Sequence, residues 1–252
     1  MSARPRKEYG QHFLRDANIL EVIGRLAELA PDDVVLEIGP GQGVLTRYLA
    51  ERVGRVHAIE IDRALEPALS DLPDNVEVVF GDALKVELPH DATKLVANLP
   101  YNVATPLVVE SLDGLPNVGL WCVMVQREVA DRFFAQPGTK EYGAVSVLVQ
   151  LAAERTGFHP VSRTVFRPQP NVDSALVAFR RMQLPGDYGS LKEVVTAAFA
   201  HRRKTLPNSL ALAGIASREE AGEALAAIGR PAQTRAEALP PKELVALARA
   251  LR

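Results

Sequence analysis

Val34-Val35-Leu36-Glu37-Ile38-Gly39-Pro40-Gly41-Gln42-Gly43-Val44-Leu45-Thr46 begins as an apolar, β-branched run, breaks into glycines, and resumes with helical spacing. A short run of Val, Leu and Ile bounded by turn residues reads as a buried strand, and the apolar positions after Gly43 read as a helix over 44–51. Glycines at 39, 41 and 43 let the backbone turn tightly and come close to a bound molecule, because no Cβ stands in the way. Taken alone, the same peptide is compatible with a mere tight turn.

Outward from this point the pattern repeats. Apolar runs at 56–59, 76–80, 95–97 and 120–125 read as further strands, with helical spacing at 63–69, 106–112 and 127–134 between them. Strands alternating with helices predict an α/β domain whose parallel sheet is covered on both faces. The runs 146–152 and 175–179 are expected to supply two more strands. Beyond Leu184-Pro185-Gly186-Asp187 the chain becomes rich in Ala, Leu and Glu, with helical spacing at 191–199, 206–213, 219–228 and 242–251. Ser217 suits an N-cap there and Pro241 a first helical turn. The expected organisation is a basic N-terminal segment over 1–16, a sheet domain over 17–184 and a small helical domain over 188–252.

The bulk properties leave a folded protein of ordinary type. The chain has 252 residues, enough for a substantial core, with 47% hydrophobic and 24% charged residues. No apolar run approaches the ~18 residues of a spanning helix, and the positively charged start has no apolar stretch behind it, so a cytoplasmic protein without a membrane partner is expected. Cys122 is the sole cysteine and lies in an apolar run, which excludes an internal disulfide and any cysteine-rich zinc site; it reads as core, and no metal is expected. The formal net charge of −2 does not mark a nucleic-acid binder, but its distribution is uneven. Residues 60–91 hold nine acids against Arg63 and Lys85, whereas 155–204 hold nine basic residues against Asp173, Asp187 and Glu193. Such segregation is able to place a basic face on an acidic protein.

Two acids narrow what the glycine turn serves, since nicotinamide and flavin enzymes carry such turns too. Glu60 closes the second strand in Ala58-Ile59-Glu60-Ile61-Asp62, and Asp82 follows the third in Phe80-Gly81-Asp82-Ala83-Leu84. Both fall at carboxyl ends of strands, along the crevice where open sheets bind ligands. A carboxylate at Glu60 accepts from two ribose hydroxyls and one at Asp82 from an adenine amino group, so the ligand is a nucleoside. A row of acids suits a cation, and S-adenosylmethionine carries a sulfonium and an ammonium but no phosphate; a dinucleotide wants a helix N-terminus for its pyrophosphate. Each acid taken singly is also compatible with a solvated strand end. The cofactor-binding set is Gly39, Gly41, Glu60 with Ile61, Asp82 with Ala83, and Asn98.

The fourth strand ends in Ala97-Asn98-Leu99-Pro100-Tyr101-Asn102. An adenine amino group is a poor nucleophile, because its lone pair is delocalised into the ring. The Asn98 side-chain carbonyl accepts one of its N–H groups and a backbone carbonyl of the turn, assigned to Leu99, accepts the other. Two acceptors below the amine favour a pyramidal nitrogen and aim its lone pair at a methyl donor, so no strong base is needed. Pro100 stiffens the turn and adds no competing N–H. Tyr101 offers a face on which a flipped or unpaired base stacks. The alternative is a strand-ending turn with Tyr101 in the core. Phe166, in Val165-Phe166-Arg167-Pro168-Gln169-Pro170, offers a second aromatic face or else anchors its loop in the core. Arg4-Pro5-Arg6-Lys7 and His201-Arg202-Arg203-Lys204 read as phosphate contacts or as solvated charge.

These residues resemble the small-subunit ribosomal RNA adenine dimethyltransferases, relatives of the macrolide-resistance methyltransferases that act on large-subunit RNA. The resemblance runs from Lys7 to about Leu210. It is carried by Gly10-Gln11-His12-Phe13-Leu14, Glu37-Ile38-Gly39-Pro40-Gly41, Asn98-Leu99-Pro100-Tyr101-Asn102, Gln126-Arg127-Glu128-Val129-Ala130-Asp131-Arg132, Pro170-Asn171-Val172-Asp173-Ser174-Ala175 and Arg202-Arg203-Lys204-Thr205-Leu206. It implies a Rossmann-like S-adenosylmethionine-dependent methyltransferase sheet with a small C-terminal helical domain that contacts the ribosome. It implies cofactor contacts at His12, Leu14, Gly39, Glu60, Asp82 and Asn98, of which His12 and Leu14 come from the resemblance alone. It also implies transfer of two methyl groups to each of two adjacent adenosines near the 3′ end of small-subunit RNA in an assembling subunit, by a monomer. Ala104 stands where family members often have serine, and the helical tail is short. The rival readings are a resistance-type enzyme and a non-catalytic assembly or transcription factor on the same fold.

Overall fold

The computed structural model describes residues 11–252. The stretch Arg4-Pro5-Arg6-Lys7, Gly10 and most of the expected 1–16 segment lie outside the described residues. The chain forms two compact units: one holds the described residues up to Ala130 together with Glu154–Arg181, the other Asp131–Ala153 and Met182–Arg252.

In chain order the first unit contains β1 (Phe13–Leu14), α1 (Ala17–Leu26), β2 (Val34–Ile38), α2 (Val44–Ala50), β3 (Arg55–Glu60), α3 (Glu66–Leu69), β4 (Val76–Phe80), β5 (Lys94–Asn98), α4 (Ala104–Gly114) and β6 (Leu120–Gln126). The chain crosses between the units in α5 (Arg127–Phe133) and, after α6 (Ala144–Ala152), in β7 (Ala153–Val161); β8 (Phe166–Arg167) and β9 (Ser174–Arg181) complete the first unit. The strands form a seven-stranded sheet in the order β4-β3-β2-β5-β6-β9-β7, with β1 and β8 paired in a separate two-stranded sheet. Neighbours from β4 to β6 are parallel and β9 is antiparallel to β6, in register from Leu120↔Arg180 to Gln126↔Ser174. The order reverses between β2 and β5, which opens a crevice at the carboxyl ends of these strands.

The central parallel strands β2, β5 and β6 are covered on both faces and so carry nearly unbroken apolar runs, whereas the edge strand β4 leaves Glu77 and Val79 exposed; six of the seven residues of β6 are buried. Cys122 is one of them, and burial pushes its thiol up to about 12, so it is inert core. Trp121 stacks on Phe179 at 5.3 Å and donates to Ser111 Oγ at 2.8 Å. At the end of β9, Arg181 donates to three carbonyls at the end of α4 and beyond it, those of Leu112, Leu115 and Val118, at 2.6–2.7 Å.

The run 146–152 is a helix, not the expected strand. Its β-branched residues suggested a strand, but all of Ser146, Val147, Leu148, Val149 and Ala152 are buried, and a short apolar run buried on several sides has no periodicity that tells helix from strand. The edge strand comes instead from β7, whose mixed polar sequence gave no strand signal. In the second unit α6 is joined by α7 (Tyr188–Ala200), α8 (Leu206–Leu212), α9 (Arg218–Ala227) and α10 (Pro241–Ala250). Ser217 caps α9 in a reciprocal box with Glu220, at 3.1 and 2.8 Å, and α10 begins at Pro241, as the sequence indicates. Tyr142 is fully buried there and donates to Leu239 O at 2.8 Å.

Candidate active site

A cleft of about 1000 Å³, counting its open mouth, lies where the strand order reverses. Its wall is drawn from the ends of four parallel strands and from the segment around β1. Every residue expected to hold the cofactor lines it: His12, Leu14, Gly39, Gly41, Glu60, Ile61, Asp82, Ala83 and Asn98. Leu99 and Pro100 line it as well, whereas Tyr101 and Phe166 do not.

The glycine loop is shaped by close approach. Gly39 has φ +76°, and a Cβ there would stand 3.3 Å from the Pro100 ring. Gly41 has φ +60°, and its Cβ would fall 2.9 Å from the Phe13 ring. Side chains are thus excluded on both conformational and steric grounds. The loop is held to β3 by Gly39 N–H donating to Ile59 O at 2.9 Å, and by Gly41 N–H donating to Glu60 Oε2 at 3.0 Å.

Four acidic side chains stand around this loop in different surroundings. Glu60 is buried and accepts from Asp62 N–H at 2.9 Å as well as from Gly41; burial nevertheless raises its pKa. Asp62 in turn accepts from Gln11 Nε2 at 3.1 Å. Asp82 accepts from Leu84 N–H at 3.0 Å, and that bond holds its carboxyl below the usual range, with Lys85 adding to the effect. Glu37 is enclosed in the floor, and burial pushes it up to about 8. Its Oε2 and the Thr46 hydroxyl are both shielded from solvent, and the hydroxyl lies close enough to offset part of that rise. Sequence reasoning passed over Glu37 except as part of the motif; the available signal was an acid within an otherwise apolar strand.

At the end of β5 the Asn98 amide is oriented from behind. Its Nδ2 donates to His12 O at 3.0 Å, which fixes the plane of the amide and leaves Oδ1 on its other arm as an acceptor. Pro100 O accepts from the N–H groups of Val103 and Ala104, at 3.1 and 3.0 Å, and so starts α4. Tyr101 is half-buried, with the His12 ring 5.3 Å away at a tilt of 33° and its hydroxyl 2.6 Å from Ser174 Oγ. The His12 ring is steadied by Nδ1 donating to Pro168 O at 2.7 Å.

Phe166 departs from the expectation of an offered aromatic face. It is 1% exposed, pairs with Leu14 across the two-stranded sheet, and packs in the core with Ile19 and Ile23. In this structure the ring is the loop's anchor. In the second unit Arg202, Arg203 and Lys204 are exposed, and Arg202 is engaged with Glu237 at 3.4 Å and with Lys140 O at 3.1 Å. Among the described residues no group of acids, histidines and cysteine forms a metal site, and no helix is long and apolar enough to cross a membrane.

Residues 2–238 match the ribosomal RNA adenine dimethylase family. The chain belongs to this family. It is therefore an S-adenosylmethionine-dependent ribosomal RNA adenine dimethyltransferase, with the Rossmann-like methyltransferase sheet and C-terminal helices of that class. It is 48% identical to the ribosomal RNA small subunit methyltransferase A of Rubrobacter xylanophilus, over 98% of this chain and 95% of that one. To the protein of the same name in Streptomyces coelicolor it is 46% identical, over 98% and 91%. Among solved structures it is similar to the 23S ribosomal RNA methyltransferase ErmE, at 31% identity and a TM-score of 0.66, over 95% of this chain and 99% of that one. The fold also matches a dimethyladenosine transferase from Plasmodium falciparum, at a TM-score of 0.77 and 24% identity over 94% and 96%. The dimethylase cleft fits its cofactor: the glycine loop leaves room for close approach, and the acids that line it suit a cation.

Proposed function

We propose that this enzyme dimethylates two adjacent adenosines near the 3′ end of small-subunit ribosomal RNA in an assembling subunit, using the cleft at the reversal of strand order. The observation that carries the reading is the anchoring of the Asn98 amide by His12 O, which leaves a preset acceptor on the wall that also bears the cofactor residues.

When bound, S-adenosylmethionine supplies a methyl group made electrophilic by the sulfonium. Glu60 would accept from the ribose hydroxyls and Asp82 from the adenine amino group, and Glu37 would stand towards the ammonium. Gly39, Gly41, Leu14, Ile61 and Ala83 form the walls, and the His12 segment closes the side. Asn98 Oδ1 accepts one N–H of the target adenine. Pro100 O is already occupied by α4, so the second acceptor is assigned to Leu99. These two acceptors localise the lone pair, and the proton lost after transfer leaves to solvent. Tyr101 supports the base, a contact worth about 1–3 kcal/mol. A nitrogen that already bears one methyl has one N–H left, so the second transfer uses only one of the two acceptors.

Greater identity to the small-subunit relatives than to ErmE, 48% against 31%, supports the small subunit as substrate. The helical domain, 188–252 with Arg202 and Arg203, is assigned to RNA phosphates in this reading, and the enzyme works as a cytoplasmic monomer. The test is methyl transfer from labelled cofactor to separated ribosomal subunits, with the modified nucleotides mapped. Label is expected in two adjacent adenosines of the small subunit, and Asn98→Ala is expected to lose roughly 100-fold or more in rate. Label confined to large-subunit RNA, or an unaltered rate in Asn98→Ala, would overturn the reading.

A further inference from the structure

The segment Pro170-Asn171-Val172-Asp173-Ser174-Ala175 carries resemblance but has no part in the chemistry above. Its Ser174 is fully buried and opens β9, where the register with β6 places it opposite Gln126. Seven consecutive residue pairs fix that register, with Ser174 in the last of them. Neighbouring Asp173 ties this strand end down further: its backbone carbonyl accepts Arg127 N–H at 3.0 Å, and its carboxylate accepts Arg163 N–H at 3.0 Å.

Tyr101 lies on a turn, where no ladder restrains it. The ring is contacted at two ends: the His12 ring lies 5.3 Å from its centroid, and the hydroxyl meets Ser174 Oγ at 2.6 Å. A hydroxyl pair this short, with one member buried, removes the freedom of the ring about its side-chain torsions. Without the tip contact the ring is free to leave its rotamer, and an aromatic support that has to be ordered as substrate binds contributes less to orientation.

We propose that Ser174 is a positioning residue for methyl transfer: its hydroxyl latches Tyr101 to the sheet, so that the ring is preset beside the Asn98 acceptor. The proposal rests on the reading of Asn98 to Tyr101 as the place where the target base is held. It separates the roles of the two ends of the tyrosine, the ring supporting the base and the hydroxyl holding the ring.

The test compares Ser174→Ala, Tyr101→Phe, the double variant and Asn98→Ala, using small subunits as substrate and varying cofactor and subunits independently. Each single variant is expected to lower kcat about tenfold and to leave the cofactor KM within about twofold. The double variant is expected to be no slower than the slower single one, because both substitutions remove the same bond. A kcat equal to that of the parent, losses that multiply in the double variant, or a defect confined to cofactor KM overturns the latch. If Ser174→Ala does not fold, Tyr101→Phe decides alone, since it removes one oxygen from a half-buried ring. Full activity in Asn98→Ala marks failure of the underlying reading; an inactive Asn98→Ala beside normal Ser174→Ala and Tyr101→Phe marks failure of the latch only.

Discussion

Glu60 Oε2 accepts the backbone N–H of Gly41 at 3.0 Å, so a side chain on β3 holds the glycine loop that follows β2. One carboxylate thereby serves both the shape of the loop and the ligand that the loop admits. The shared role makes the loop intolerant of even a methyl group.

Gly41→Ala is expected to weaken cofactor binding about tenfold or more. The added Cβ meets the Phe13 ring and forces a left-handed conformation on a residue that disfavours it, a strain of about 1–3 kcal/mol. Calorimetric titration with S-adenosylhomocysteine checks this, and unchanged affinity would show that the loop relaxes freely.

Glu37 makes stability and cofactor binding depend on pH. Its folded pKa, about 8, lies above the ordinary 4.5, so the folded state binds the proton more tightly than the unfolded chain. The group thus costs nothing at pH below 4.5, and its penalty grows as pH rises towards 8, beyond which the slope vanishes. Ligand-free Glu37→Gln should melt with a flatter pH dependence across this window. An ammonium held against Glu37 favours the ionised form, so cofactor binding near pH 7 should release part of a proton. Identical binding heats in buffers of different ionisation enthalpy would count against that coupling.

Phe166→Ala is expected to cost about 3–5 kcal/mol of stability, because a fully covered ring is removed from the core beside Leu14. Phe166→Leu keeps most of the volume and should recover most of that loss. A low rate persisting in a stable Phe166→Leu protein would assign the ring to the substrate rather than to the core.

Arg181→Ala should destabilise the first unit by about 2–4 kcal/mol, since three carbonyls lose a charged donor at once. Denaturant melts measure this. Specific activity of the folded fraction should stay near that of the parent, as Arg181 does not line the cleft.

The parts of the site legible in the sequence are those built from one strand and its following turn. Gly39, Glu60, Asp82 and Asn98 each end or follow a strand, so their convergence follows from parallel topology alone. Contacts between distant segments left no such trace. The pairing of Phe13 and Leu14 with Arg167 and Phe166 involves two-residue strands too short to show alternation, so only the resemblance points to His12 and Leu14. Residues 146–152 read as a strand because β-branching outweighs a periodicity that the burial of the helix Ala144–Ala152 erases. Glu37 looked like part of a motif, and only its enclosure shows an acid held near neutrality.

The placement of β9 between β6 and β7 has a consequence for the chain as it is made. Until about residue 181 has left the ribosome, β6 presents an apolar strand with one unpaired edge, the kind of surface that recruits other chains. The first unit is thus completed only after an excursion of the nascent polypeptide through 131–153. A fragment ending before Ser174 has the glycine loop and the acids but an open sheet. Such fragments should aggregate rather than accumulate as a smaller, cofactor-binding protein.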